Sequence, residues 1–244
     1  MTNKNNYFKN LEEFYNSSLS SLIDPQISIN AKQIGIEDAQ KLSSAISKCT
    51  NLSTLTLYLR GSFVDDQLSQ ILSPTLQNCS SLLNLKLDFF NNNIGDKGLA
   101  SLCSAFDYCT NLQNLRIDLS NNNIGSKGAL HLGQSIVKCK NLQFLNLDLY
   151  GNKIGTKGVQ DLGLALTNLY KLQHLAIDLY QNNIGSLGAS HLGSALMRFE
   201  NLEILTLNLN SNQVSEIPQQ QFKNKTNKIK RLVFQAISFD QQVN

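Results

Sequence analysis

The side chains able to do chemistry are few, and most of them recur at one interval. Cys49, Cys79, Cys109 and Cys139 lie 30 residues apart, and Leu169 and Phe199 follow in the same slot. A slot that accepts Cys, Leu and Phe is apolar, so these thiols are expected to be buried structural residues. The fifth, Cys103, lies on an earlier helical turn. No CxxC pair and no neighbouring His supports a metal site. His131, Asp161 and His191 also share a slot. A His–Asp–His column is a candidate cation site, and a solvent-facing row on helices is the plainer reading. The triplet Asp88-Phe89-Phe90 looks like a D-F-G motif but has Phe in place of the Gly. The same slots recur as Asp118-Leu119-Ser120 and Asp148-Leu149-Tyr150, so repetition accounts for it. The chain has no Gly-rich phosphate loop, Walker A lysine, HRD motif or G-x-S-x-G elbow. No catalytic residue, metal or cofactor is expected.

The interval belongs to the whole chain. Ile-Gly pairs stand at Ile34-Gly35, Ile94-Gly95, Ile124-Gly125, Ile154-Gly155 and Ile184-Gly185. Val64-Asp65 and Val214-Ser215 fill the two remaining slots, without an insertion. Such a period marks a solenoid. In the unit that starts at Asn141, Leu145, Leu147 and Leu149 alternate, which predicts a strand. From Gly158, residues Val159, Leu162, Ala165, Leu166 and Leu169 are three and four apart, which predicts a helix. Thr156 is its expected N-cap, as are Asp96, Ser126 and Ser186 in the same slot. Successive strands then pair in parallel while the helix returns the chain outside. Each unit exposes an apolar face that only a stacked neighbour covers. Roughly 1.5–3 kcal/mol per buried Leu or Ile offsets the chain's entropy.

The pattern LxxLxLxLxxNxI, on Leu142, Leu145, Leu147, Leu149, Asn152 and Ile154, resembles the leucine-rich-repeat signature LxxLxLxxNxL with two residues added inside the strand. Its long helical half is similar to the ribonuclease-inhibitor-like subfamily. The match runs over about residues 22–240. The resemblance implies an α/β solenoid, a horseshoe with a concave parallel β-sheet and convex helices. It also implies that Asn92, Asn122, Asn152, Asn182 and Asn212 satisfy backbone groups of neighbouring turns. Ser62 and Lys32 hold that slot in the first two units, so those turns are expected to be looser. The family binds diverse partners, so the resemblance alone names none.

With Leu145, Leu147 and Leu149 pointing in, the alternate residues face out of the sheet. Steps of 30 give three outward columns. The first is Tyr58, Asp88, Asp118, Asp148, Asp178 and Asn208. The second is Arg60, Phe90, Ser120, Tyr150, Tyr180 and Asn210. The third is Thr56, Lys86, Arg116, Asn146, Ala176 and Thr206. Carboxylates about 4.8 Å apart on adjacent strands repel by about 3 kcal/mol per pair at an effective dielectric of 20, and by under ~1 kcal/mol in water. Lys86 and Arg116 are placed to neutralise Asp88 and Asp118. Asp148 and Asp178 lack such a partner and lie beside Tyr150 and Tyr180. An acidic stripe beside aromatics suits a protein partner with a basic or extended segment. The plainer alternative is an Asp copied by duplication for a strand-end hydrogen bond, and a cation site is the third. The candidate contacts are Tyr58, Arg60, Asp88, Phe90, Arg116, Asp118, Asp148, Tyr150, Asp178 and Tyr180.

The ends depart from the pattern. Residues 1–21 are expected to form an N-terminal capping helix, from Phe8, Leu11, Tyr15 and Leu19 at near-helical spacing over 6–20. Residues 22–213 hold the repeats, and 214–244 a degenerate last repeat and C-terminal cap. Pro218 stands where the last helix should run, so an irregular connection is expected there. One last edge strand then follows, with Leu232, Ile237 and Phe239 in register. Lys223, Lys225, Lys228, Lys230 and Arg231 cluster nearby, read as a solvated, edge-protecting face, with an acidic partner as the alternative.

Hydrophobic content of 41% and charged content of 16% suit a packed core. A net charge of +3 is too small to imply nucleic acid, and no apolar run approaches the ~18 residues of a membrane span. Five cysteines without a signal-peptide pattern suit an intracellular, cytoplasmic setting. The sequons at Asn16, Asn51, Asn78 and Asn224 are then expected to be silent. The initial Met and the capping pattern favour a complete chain. The function expected is a non-catalytic protein-interaction scaffold, monomeric outside its complex. The alternatives are an enzyme regulator, either activating small GTPases or inhibiting nucleases, and the repeat portion of a longer sensor or kinase-type protein. A GTP turnover assay separates a GTPase activator from a plain scaffold.

Overall fold

The computed structural model of the protein describes residues 6–29, 34–76 and 80–240. Lys32, Cys79 and the sequon at Asn78 lie outside these residues. Nine strands form one parallel sheet in chain order: β1 (Tyr7–Phe8), β2 (Gln26–Ser28), β3 (Thr54–Tyr58), β4 (Asn84–Asp88), β5 (Asn114–Asp118), β6 (Phe144–Asp148), β7 (His174–Asp178), β8 (Ile204–Asn208) and β9 (Phe234–Ser238). Between them run α1 (Leu11–Tyr15), α2 (Ile36–Ser47), α3 (Asp66–Leu72), α4 (Asp96–Cys103), α5 (Ser126–Ile136), α6 (Gly155–Leu166), α7 (Gly185–Leu196) and α8 (Glu216–Thr226). From β3 onward each strand residue pairs with the one 30 further on, as Leu145 does with Leu175 and Asp148 with Asp178. The period in the sequence is therefore the register of the sheet.

One core runs the length of the stack between sheet and helices. Leu145, Leu147 and Leu149 are sealed in it, together with Leu162 and Leu166 from α6. Glycines let the helices approach. A Cβ on Gly158 would fall 2.8 Å from Ser126 Cα of the preceding helix. Facing the following helix, a Cβ on Gly133, Gly163 or Gly193 would meet Ala165, Leu192 or Phe222 at 2.8, 3.0 and 2.9 Å.

The signature Asn is a three-way backbone clamp. Asn152 Oδ1 accepts from Ile124 N at 3.0 Å, and its Nδ2 donates to Leu119 O and Leu149 O, both at 2.9 Å. Asn92, Asn122, Asn182 and Asn212 repeat the arrangement. Ser62 is fully buried, and its hydroxyl donates to Ile29 O at 2.8 Å. Its single hydroxyl hydrogen is shared between Ile29 O and, at 3.3 Å, Arg60 O, where the Asn amide reaches three carbonyls, so this turn keeps part of the clamp and is not simply loose. A second ladder stands where each helix hands back to a strand. Asn51, Asn111, Asn141 and Asn201 donate to Ser20 O, Ser80 O, Thr110 O and Tyr170 O at 2.7–3.1 Å.

The expected N-caps act one repeat away. Asp96 Oδ1 accepts from Gly125 N at 2.7 Å and Gly128 N at 2.9 Å, both at the start of the following helix. Asp66 does the same for Gly95 and Gly98. Thr156 Oγ1 donates to Ile184 O at 2.7 Å. These slots lie inside the first turn of their own helix, on the side toward the next repeat, so their side chains reach that neighbour's free backbone groups.

Both ends differ from expectation. Residues 6–20 are not one helix. Tyr7–Phe8 pairs with β2, because the sheet edge offers its backbone partners, and Gln26 N donates to Asn6 O at 2.6 Å. The helix begins only after Asn10, whose side chain accepts from Glu13 N. Phe8 and Phe14 then close the core edge-to-face, with ring centroids 5.3 Å apart. At the other end α8 is a regular helix in spite of Pro218. Ser215 precedes the helix and Pro218 lies in its first turn, where the missing N–H would have no intrahelical acceptor anyway.

Candidate partner-binding surface

The parallel register lines up the outward side chains of β3–β9 on the face of the sheet away from the helices. The Asp column is built into the backbone. Asp88, Asp118, Asp148 and Asp178 each accept the amide of the residue two ahead, at 2.9–3.3 Å. Asn208 does the same for Asn210 at 3.2 Å. These bonds turn the chain out of each strand.

The column is divided electrostatically. Arg60 lies over its first half, with Nε 2.8 Å from Asp88 and Nη2 3.2 Å from Asp118. Its Cζ stands 4.9 Å from the Phe90 ring centroid. These bonds, the one to Asp88 foremost, hold the guanidinium above its usual pKa. Arg60, Asp88, Phe90 and Asp118 are thus one closed cluster. The neutralisation expected from Lys86 and Arg116 does not form. Lys86 donates to Tyr58 Oη at 3.1 Å and sits over that ring, and Arg116 makes no ion pair among the described residues. Upright side chains two apart on one strand stand nearly 7 Å apart, whereas the longer Arg60 reaches across two strands.

Among the described residues the second half has no cation paired to it. Asp178 accepts only amides, from Tyr180 N and from Asn208 Nδ2 at 3.0 Å. Asp148 is pushed up to about 6, first by burial and then by the charges of Asp118 and Asp178. Tyr150 and Tyr180 stand beside them edge-to-face, with centroids 5.1 Å apart.

A fourth column, of which the sequence pattern places Phe144 and His174 on this face, borders the other side. It runs Thr54, Asn84, Asn114, Phe144, His174, Ile204 and Phe234, and the same step of 30 finds it. Its first half is polar: Asn84 donates to Thr54 at 3.1 Å and Asn114 to Asn84 at 2.6 Å. From β6 it turns apolar, with Phe144 and His174 6.0 Å apart and Phe234 exposed. Between this rim and the Asp column, the long Lys86 and Arg116 give way to Asn146, Ala176, Thr206 and Ala236. The face therefore changes character between β5 and β6, from basic and polar to a shallow floor with an apolar rim and an acidic, aromatic rim.

The other candidates resolve as packing. Cys49, Cys103 and Cys139 are free and buried, and Cys109 is buried with them. Burial pushes the Cys49 thiol to about 11, and mainly burial takes Cys139 to about 12, far from a reactive thiolate. Asp161 pairs with Lys157 at 2.5 Å, and His131 is exposed. Among the described residues no group of three or more His, Cys, Asp or Glu side chains could hold a metal ion. Phe89 of the D-F-G look-alike is a core residue.

Stacked strand–helix units on one parallel sheet define a solenoid repeat protein. Residues 82–103 and 109–133 match the family model of the Leucine Rich repeat, and the remaining units continue their register in one leucine-rich-repeat solenoid fold. No curated protein sequence matches it significantly. No helix among the described residues is long and apolar enough to cross a membrane. Leucine-rich repeats serve protein–protein interaction.

Proposed function

We propose that the protein is a non-catalytic scaffold of the ribonuclease-inhibitor-like kind. It binds a partner protein across the C-terminal half of the open sheet face, over β6–β8. Asp148 and Asp178 supply charge, Tyr150 and Tyr180 supply contact area, and Phe144, His174 and Ile204 border the other side of the floor. Tyr58, Arg60, Asp88, Phe90, Arg116 and Asp118 have a lesser part, because most of them already satisfy one another. Free buried thiols favour an intracellular, reducing setting.

The observation that carries this reading is that the turn needs an acceptor but not a charge. Asn208 makes the same turn as the aspartates. Position 148 nevertheless keeps an aspartate between two others, with no cation paired to it among the described residues. Charge kept where an amide would be more stable is charge available to a partner, and the flanking tyrosines suit the centre of an interface. The partner expected is an extended segment bearing Lys or Arg.

The test is capture of partners from the native cell with the wild type, with Asp148→Asn/Asp178→Asn, and with Asp161→Asn on α6 as a control. A partner held by the wild type and by Asp161→Asn, but at least tenfold less by the double variant, supports the proposal. Equal recovery by all three refutes it.

A further inference from the structure

The stack ends in two different ways. In the helix layer it is closed. The slot that faces the next helix holds Ser43, Ser73, Cys103, Gly133, Gly163 and Gly193 in turn, all small, but in α8 it holds Lys223. The neighbouring slot changes from Ala189 to Gln219. A glycine there admits a helix to within 2.9 Å of where a Cβ would be, and a lysine does not.

In the sheet it is open. Among the described residues β9 pairs only with β8. Phe234 N donates to Glu203 O and Ser238 O accepts from Leu209 N, so alternate residues of β9 face β8. The backbone N–H and C=O of Gln235 and Ile237 therefore point out of the edge. The strand, Phe-Gln-Ala-Ile-Ser, carries none of the usual guards of a free edge: no charge, no proline, no bulge. The opposite edge, β1, has two residues. The layer beneath β9 is also unfinished. Leu232 and Ile237 are half-buried where Leu202 and Leu207, one repeat earlier, are sealed, and Val233 is 84% exposed. Gln235 replaces the core leucine of its slot, and its Oε1 is buried with no partner among the described residues.

We propose that this edge receives an acidic, extended segment of a partner protein as a tenth strand. The closed helix layer leaves room for a strand alone. The charge points to its chemistry: residues 216–240 hold five basic and two acidic side chains, a surplus equal to the net charge of the whole chain. Lys225 and Arg231 turn back onto the previous repeat. Lys223 stands over Phe239, just past the edge strand, and Lys228 is exposed. A second copy would set these lysines against their own counterparts. This surface is separate from the one on β6–β8.

The experiment is a binding titration of the full chain with two short labelled peptides. One alternates glutamate with valine, and the other lysine with valine. Wild type is expected to bind the acidic peptide at least tenfold more tightly, with the amides of Gln235 and Ile237 slowed in hydrogen exchange. Gln235→Pro removes an outward N–H and the side-chain bond to Asn227 but leaves the backbone bonds to β8 in place, and it is expected to abolish binding with the fold kept. If that variant does not fold, Lys223→Glu/Lys228→Glu is expected to weaken binding at least tenfold. Equal binding of both peptides, binding of neither, protection elsewhere, or self-association of the wild type that Gln235→Pro breaks would each overturn the proposal.

Discussion

Replacing Asp148 by Asn should stabilise the protein, and by an amount that depends on pH. The carboxyl titrates near 3.8 when unfolded and is pushed up to about 6 in the fold. Because the folded value is the higher, the folded state holds the proton more tightly, and ionisation works against folding. The penalty is absent below about pH 4, grows between the two values and is complete above pH 6. Taken whole, the shift corresponds to about 3 kcal/mol at 1.36 kcal/mol per unit. Asp148 is only partly buried, and screening by solvent leaves about 1–2 kcal/mol. Asn keeps the acceptor for Tyr150 N, as Asn208 does in its own turn. Urea unfolding of wild type and Asp148→Asn at pH 4 and pH 8 measures the difference. A gain of about 1–2 kcal/mol at pH 8, or about 2–8 °C in melting temperature, with little at pH 4, is expected. An equal gain at both pH values would refute the electrostatic reasoning, and a loss at both would show that the turn needs the carboxylate itself.

Arg60→Ala leaves Asp88 and Asp118 without their cation. It should cost about 1–3 kcal/mol at pH 7, as read by urea unfolding. Asn152→Ala strips partners from Ile124 N, Leu119 O and Leu149 O at once, and a loss of about 3–5 kcal/mol in urea unfolding is expected. Two glycines should separate overlap from backbone strain. Gly158→Ala drives a methyl to 2.8 Å from the backbone of Ser126 and should cost about 2–3 kcal/mol. Gly155→Ala meets nothing within 4 Å but has φ +66, so about 1 kcal/mol is expected; equal thermal shifts for the two would count against the packing argument.

What could be read in advance was whatever depends on position along the repeat. The sheet register, the buried cysteine slot and the Asn clamp all follow from the step of 30, because a solenoid turns sequence distance directly into spatial order. What could not be read depends on the direction and reach of side chains. Thr156 and Asp96 look like caps of their own helices, and only the angle at which the helices sit shows that they serve the next one. Lys86 is nearer in sequence to Asp88 than Arg60 is, yet Arg60 has the length to cross the strands. Pro218 was read by its presence in a helical stretch, when its place in the first turn decides the matter. The column from Phe144 to Phe234 was within reach, since the rule that gave the Asp column also gives it.

Site-specific photo-crosslinking in the native cell tests the central claim most directly. A crosslinking residue is placed at Ala176 on the floor of β7, at Lys86 in the basic half of the same face, and at Leu164 on the outer side of α6. One partner protein joined through position 176, and not through 86 or 164, is the result expected. Adducts from position 164 alone, or equally from all three, would contradict a partner seated on β6–β8.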